Sequence, residues 1–301
     1  MKFIDRQGNI TEKTTITDKI CPLLYENPLG RMVVKTFCKP AFSRMMGAVL
    51  DSRLSVILTI PYKHFCNIDL KQCKPKFYSS FNEFFTRELK EELRPVDGEI
   101  ASLISPADGK LSVFEIDKQL EIEVKQSKYS VAQLLKSETL AKQYEGGYVV
   151  VVRLTSEDNH HYCYVADGLK GKNHFIDGAL HILHPHSAKL SSMLKENARE
   201  FCRIRTTHFG ELIQMEVGAM IVGCVCNKDQ SVCQVEKGAE KGYFSYGGST
   251  VILLLQKDMV TMDADLLANT QNGIETLIKR GERIGYAGKH ADATKFFSVN
   301  N

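Results

Sequence analysis

One switch in pattern constrains the fold more than any other stretch of the chain. The turn-like segment Tyr243-Phe244-Ser245-Tyr246-Gly247-Gly248-Ser249-Thr250 leads directly into the apolar run Val251-Ile252-Leu253-Leu254-Leu255. A short apolar run bounded by turn residues reads as a strand buried on both faces. The glycine pair lets the backbone bend where a side chain would clash, and it leaves the Gly248 carbonyl open to approach. Ser249 sets a hydroxyl beside that carbonyl at the mouth of the strand. The arrangement suits attack of the Ser249 Oγ on the Gly248 carbonyl carbon, an N→O acyl shift to an ester, with the tight turn supplying proximity. Taken without the rest of the chain, Gly-Gly-Ser before a strand is also the composition of an ordinary hairpin turn.

The rest of the chain divides into two patterns. Across residues 28–74, Met32, Val33, Val34 and Phe37 recur at helical spacing, and Phe42, Met45, Met46, Val49 and Leu50 follow after Pro40. Arg31, Lys35, Lys39 and Arg44 are interleaved with them, as in an amphipathic element lying in a membrane interface or packed on a core. Residues 81–89 read as a short amphipathic helix. From about residue 100 onward, short apolar or alternating runs at 110–114, 147–154, 212–217, 220–226 and 250–255 read as strands. Inserted helices are expected at 131–141 and 187–194. The expected class is α+β: a helical, basic, membrane-associating region over 1–75, then a β-rich, mainly antiparallel catalytic domain over 76–301.

Charge narrows the partners. A net charge of +3 over 301 residues is too small to argue for nucleic acid. Its distribution is uneven, because residues 1–75 hold 12 Lys/Arg against 6 Asp/Glu, and the remainder sums to −3. A basic N-terminal quarter on a near-neutral body suits an anionic membrane surface. The polar start Met1-Lys2-Phe3-Ile4-Asp5-Arg6-Gln7-Gly8 carries no expectation of a signal peptide. No apolar run approaches the ~20 residues of a spanning helix. Nine scattered cysteines without Cys-x-x-Cys spacing fit a reducing compartment.

Several motifs in fixed order resemble the phosphatidylserine decarboxylase family. The segment from Glu236 to Thr250 resembles its processing site, in the bacterial branch that carries Gly-Gly-Ser-Thr in place of Leu-Gly-Ser-Thr. Phe81-Asn82-Glu83-Phe84-Phe85-Thr86-Arg87-Glu88-Leu89, Arg94-Pro95-Val96-Asp97 and Ser105-Pro106-Ala107-Asp108-Gly109-Lys110 match in sequence, as do Glu216-Val217-Gly218-Ala219 and Val222-Gly223. The resemblance implies self-cleavage between Gly248 and Ser249, giving chains 1–248 and 249–301. Ser249 would become a covalent pyruvoyl group, the electron sink for loss of CO2 from phosphatidylserine to give phosphatidylethanolamine. The implied partners are a membrane phospholipid and the chain's own cleaved halves, as a heterodimer or a homo-oligomer of it. The implied location is the cytoplasmic face of the cell membrane, peripherally bound.

The same resemblance assigns the site. Asp108 takes the place of the acid in a Ser–His–Asp relay, although Pro-Ala-Asp-Gly alone is also a common turn. Relatives carry Asp-Tyr-His-Arg-Phe-His where this chain reads Asp158-Asn159-His160-His161-Tyr162-Cys163. His160 matches the first family histidine, associated with decarboxylation. The second, associated with self-cleavage, is replaced by Cys163. The base for Ser249 is therefore open among His160, the adjacent His161, and Cys163 as a thiolate. A thiol titrating near ~8.5 is a weak base at neutral pH unless a neighbouring charge lowers it. In an extended segment His161 points away from the face of His160 and Tyr162. His181, in Leu180-His181-Ile182-Leu183-His184-Pro185-His186, is assigned to the head-group pocket, and these histidines do not complete a metal site. Arg87 is a candidate for a phosphate contact or a structural ion pair. Two other readings exist. A serine hydrolase would use Ser249, His160 and Asp108, but Val251 stands where a Gly-x-Ser-x-Gly elbow needs glycine. An uncleaved lipid-binding relative is suggested by the histidine lost at Cys163.

Overall fold

The computed structural model describes residues 2–12, 27, 28, 30, 32, 40–124, 127–178, 197–218, 225–245 and 249–289. Four long strands form its centre: Gly109–Glu115, Tyr148–Leu154, Ser249–Leu255 and Glu211–Gly218. Tyr148–Leu154 carries four consecutive valines, whose branched side chains suit a pleated surface. Ser249–Leu255 is buried along its whole length, as its unbroken apolar run predicts. It pairs antiparallel with Tyr148–Leu154 on one side and Glu211–Gly218 on the other. Gly109–Glu115 continues the antiparallel order beyond Tyr148–Leu154. Among the described residues these belong to an eleven-stranded sheet.

Alternation divides the sheet into two faces. Leu111, Val113, Val150, Val152, Leu154, Val251, Leu253 and Leu255 point to one core, shared with Tyr162, Cys163 and Phe244. Those last residues come from a small sheet of Val225–Asn227, Glu240–Phe244 and His161–Cys163 laid over that face. Val149, Ile213, Met215, Ile252 and Leu254 point to the other core, closed by Val131, Leu134, Leu135 and Ala141. Two short helices, Val131–Leu135 and Glu138–Ala141, supply that cover in place of one longer helix. Ser130 and Ser137 cap them by accepting hydrogen bonds from the backbone N–H groups of Gln133 and Leu140. The expectations at 187–194 and 220–224 lie outside the described residues.

The N-terminal expectation needs correction. Lys2–Ile4 and Ile10–Glu12 are strands, forming a hairpin on the edge of the main sheet. Lys2–Ile4 runs parallel to Glu275–Ile278, with Phe3 buried beneath it. Asp5 closes the turn by accepting from the Gln7 and Asn9 backbone N–H groups at 2.9 and 2.8 Å. Arg6 anchors it through ion pairs to Asp263 at 2.6 Å and Asp265 at 2.7 Å. The helical reading holds for Pro40–Asp51 and Thr59–Phe65, joined by a 3-10 turn at Arg53–Leu58. The stripe at Val33, Val34 and Phe37 lies outside the described residues.

This helical segment docks through one side only. Leu50 packs on Phe81 and Phe85, and the Tyr62 ring meets Phe81 edge-on at 5.0 Å. Ser55 Oγ accepts from the Phe81 backbone N–H at 2.8 Å, and Tyr62 OH donates to the Ser156 carbonyl at 2.8 Å. Leu54, Ile57, Ile60 and Phe65 remain exposed, Leu54 at 87%. No helix among the described residues is long and apolar enough to cross a membrane.

Candidate functional site

Ser249 opens its strand opposite Leu154 on one side and Gly218 on the other. Its side chain belongs to the face that the small sheet covers, and it is 1% exposed. The Ser249 Oγ has no hydrogen-bond partner. Leaving a buried hydroxyl unpaired costs about 1–3 kcal/mol, so an orphan of this kind marks a place held for something other than stability. Gly218 leaves the position opposite free of a side chain. Its N–H donates to the Ala198 carbonyl at 3.0 Å, and its carbonyl accepts from Asn197 Nδ2 at 2.8 Å. Gly248, the other half of the expected cleavage site, lies outside the described residues, as does His181.

Beyond Leu154 the chain turns through residues 155–158 and presents His160. Asp158 Oδ2 accepts from the Thr155 N–H at 2.6 Å and from Lys110 Nζ at 2.7 Å, while Lys110 also donates to Thr155 Oγ1 at 2.7 Å. Burial works against the Asp158 charge, but Lys110 outweighs it and holds the carboxylate below its ordinary range. Arg87 locks the outer side of the turn, its guanidinium donating to the Glu157 and Asp158 carbonyls at 3.3 and 3.4 Å. These are hydrogen bonds to backbone carbonyls, a structural role different from the expected ion pair. The His160 carbonyl accepts from the Phe244 N–H at 3.0 Å. Its ring stacks on Phe85 at 4.2 Å, fully buried, with neither nitrogen hydrogen-bonded. Burial, then the Arg87 charge, pushes its pKa down to about 3, so the imidazole is neutral at physiological pH.

The other candidates face elsewhere. His161 Nδ1 meets Glu240 Oε1 at 2.6 Å and its Nε2 meets the Thr86 carbonyl at 3.0 Å. It lines a cleft of about 390 Å³ shared with Arg94, Glu240 and Arg280. Both ring nitrogens are thus engaged away from Ser249. Asp108 accepts from Arg94 Nε at 2.7 Å, from Arg94 Nη2 at 2.6 Å and from the Arg280 backbone N–H at 2.8 Å. An arginine fork, rather than a histidine, occupies the relay carboxylate. Cys163 is packed against the same loop, its N–H donating to the Pro106 carbonyl at 2.8 Å and its Sγ lying 3.8 Å from the Ser105 carbonyl. Burial pushes the thiol up to about 12; the Arg280 charge pulls against this, and the Asp108 charge adds to it. Burial and the Asp108 charge thus both favour the neutral thiol of Cys163 over the thiolate.

A buried ion pair escaped the sequence reading. Glu216 and Lys241 are 0% and 1% exposed and meet at 2.5 Å through Glu216 Oε2. Lys241 also donates to Asn227 Oδ1 at 2.9 Å, which in turn accepts from Tyr162 OH at 3.2 Å. Burial raises the proton affinity of Glu216, offset in part by Lys241. For Lys241 burial acts the other way, and the Glu216 charge outweighs it to keep the amine protonated. The signal was present: Glu216 is the one charged residue inside the otherwise uncharged run 212–217.

Comparison with known proteins bears on this arrangement. The family model described as phosphatidylserine decarboxylase matches residues 81–286. The chain is 41% identical over 263 residues to the phosphatidylserine decarboxylase proenzyme 2 of Clostridium acetobutylicum, covering 87% of this chain and 90% of that one. It is 36% identical over 290 residues to the phosphatidylserine decarboxylase proenzyme of Clostridium tetani, covering 95% and 98%. The proenzyme of the same description from Fusobacterium nucleatum is 34% identical over 291 residues, covering 95% and 97%.

Proposed function

The chain belongs to the phosphatidylserine decarboxylase family and is a decarboxylase proenzyme, and from that premise we propose how its residues serve the reaction. It cuts itself between Gly248 and Ser249, and the residue left at position 249 becomes the pyruvoyl group. One observation carries this reading: a buried Ser249 Oγ without a partner, at the first position of a strand held on both sides. A hydroxyl that makes no hydrogen bond can leave its place without loss to the fold, so Ser249 fits as the source of the group. Once formed, the pyruvoyl group supplies an electron sink for the decarboxylation of phosphatidylserine to phosphatidylethanolamine.

The protein's own residues then have distinct tasks. His160 handles a proton at the reacting centre. Its neutral ring has both nitrogens unspent, and Phe85 fixes its plane. Lys110 and Arg87 hold the turn that aims it. Asp108, tied to Arg94 and Arg280, fixes the loop that packs on Cys163, and Cys163 contributes as a neutral packing group. His181 is assigned to the lipid head group. The test is the intact mass of purified protein. Two chains are expected, residues 1–248 and 249–301, the smaller with a reducible carbonyl at its N-terminus. A single full-length chain would refute the reading.

The substrate is a lipid, and the exposed Leu54, Ile57, Ile60 and Phe65 give the enzyme an apolar face for a bilayer. With Arg53 and Lys63 beside them, they support peripheral attachment to the cytoplasmic side of the membrane by the N-terminal region, while the two cleaved chains stay together as a heterodimer. The protein should float with anionic phospholipid vesicles, less at high salt, because exposed charges are screened within about 10 Å at 0.1 M. Replacing Leu54, Ile57 and Ile60 together with serine should abolish flotation, and undiminished recovery of that variant would remove the assignment.

A further inference from the structure

None of the described residues matched to the family relay is hydrogen-bonded to the Ser249 Oγ. His161 spends both nitrogens on Glu240 and Thr86, Asp108 is taken by Arg94 and Arg280, and neither His160 nor Cys163 bonds to the Ser249 Oγ. On the neighbouring strand lies a different group. Gly218 pairs with Ser249 and Glu216 pairs with Val251, so Glu216 and Ser249 are diagonal neighbours on one face of the sheet. Such neighbours have their Cα atoms ~7–8 Å apart, within reach of a long side chain. Gly218, directly opposite Ser249, adds no side chain beside them. Glu216 Oε2 is held by Lys241, while Glu216 Oε1 is buried and has no partner. Among the described residues it is the only carboxylate oxygen in that condition.

Resting on the self-cleavage reading above, we propose that Glu216 is the proton acceptor for Ser249 during the acyl shift, with Lys241 holding it in place. The Ser249 Oγ–H bond breaks and its proton passes to Glu216 Oε1. The Oγ bonds to the Gly248 carbonyl carbon, the Gly248–Ser249 C–N bond breaks, and Glu216 returns the proton to the freed Ser249 amine. No net charge or proton is consumed, so the carboxylate is regenerated beside a still-protonated Lys241. Burial raises the proton affinity of Glu216, which helps a carboxylate hold a hydroxyl proton for the time the step needs.

The test follows maturation of freshly made precursor by intact mass, together with its sensitivity to hydroxylamine, which cuts an ester but spares the amide. Glu216→Gln alone strands the buried Lys241 charge and endangers folding. The decisive variant is therefore Glu216→Gln combined with Lys241→Met, which removes both charges and nearly conserves volume. Folded protein, shown by a cooperative thermal transition, should mature ~10²–10⁴-fold more slowly than the parent, the usual range for loss of a general base. Its precursor should stay resistant to hydroxylamine, stalled before the ester. Glu216→Asp, which keeps the charge pair but draws the carboxylate back, should fold and mature at an intermediate rate. Maturation of the folded double variant at the parent rate overturns the proposal, and so does a slow precursor that hydroxylamine cuts. If the parent chain itself never matures, the self-cleavage reading falls instead.

Discussion

Ser249→Ala is expected to yield one uncut 301-residue chain with no decarboxylase activity. The loss is complete because the substitution removes both the oxygen that attacks and the atoms that become the reactive group. No described neighbour offers a substitute, since Thr250 points to the opposite face of the strand. The fold should not suffer. Deleting a hydroxyl that is buried and unpaired removes a burden of about 1–3 kcal/mol, so the variant should melt at or above the temperature of the uncut parent. The combination is diagnostic, because an inactive variant that is also less stable would point to a structural hydroxyl. Gel electrophoresis and thermal melting decide it, and two fragments from Ser249→Ala would end the assignment of this residue.

His160→Gln should lower kcat/KM by ~10²–10⁴-fold, the range for a lost acid–base group, while the chain still matures. Glutamine can hydrogen-bond but has no ring nitrogen to take up and return a proton. Turnover within a factor of a few of the parent would dismiss the histidine from the chemistry. His160 also carries a pH signature. Its pKa is near 6.5 in the unfolded chain and about 3 in the folded one, so between those values the unfolded state binds more protons. Its contribution to stability is complete above pH 6.5 and is lost as the pH falls toward 3, with a slope of up to about 1.4 kcal/mol per pH unit. His160→Phe keeps the stack on Phe85 and removes the titration. Melts from pH 7 to pH 5 should therefore show a shallower decline for His160→Phe than for the parent, and parallel declines would contradict the burial argument.

What the sequence disclosed follows from the range over which each interaction acts. The runs at 110–114, 147–154, 212–217 and 250–255 announced their strands because burial on both faces leaves a local apolar signature. The N-terminal hairpin did not, since Lys2–Ile4 and Ile10–Glu12 are too short to carry a period, and their partner Glu275–Ile278 is far along the chain. The site divides in the same way. Ser249 and His160 were singled out through their motifs. That Arg94 rather than a histidine grips Asp108 was not, because the geometry of an ion pair between loops depends on tertiary packing. Cys163 was noticed as a departure from the family pattern, but its high pKa comes from burial that no neighbour in sequence reveals.

The position of the proposed cut within the sheet has a consequence for the life of the protein. Ser249–Leu255 is flanked on both sides by strands of the 1–248 portion, and Glu275–Ile278 lies between Gly109–Glu115 and Lys2–Ile4. Arg153 reaches across to Glu275 at 2.6 Å. The two products of cleavage are therefore woven through one another, and neither can leave without opening the middle of the sheet. Assembly is a task for the intact chain, when the Gly248–Ser249 bond still ties the strands into one search. Once that bond is severed, the mature pair is held by a barrier to unweaving, and a pair that has been pulled apart must find its register as two separate molecules.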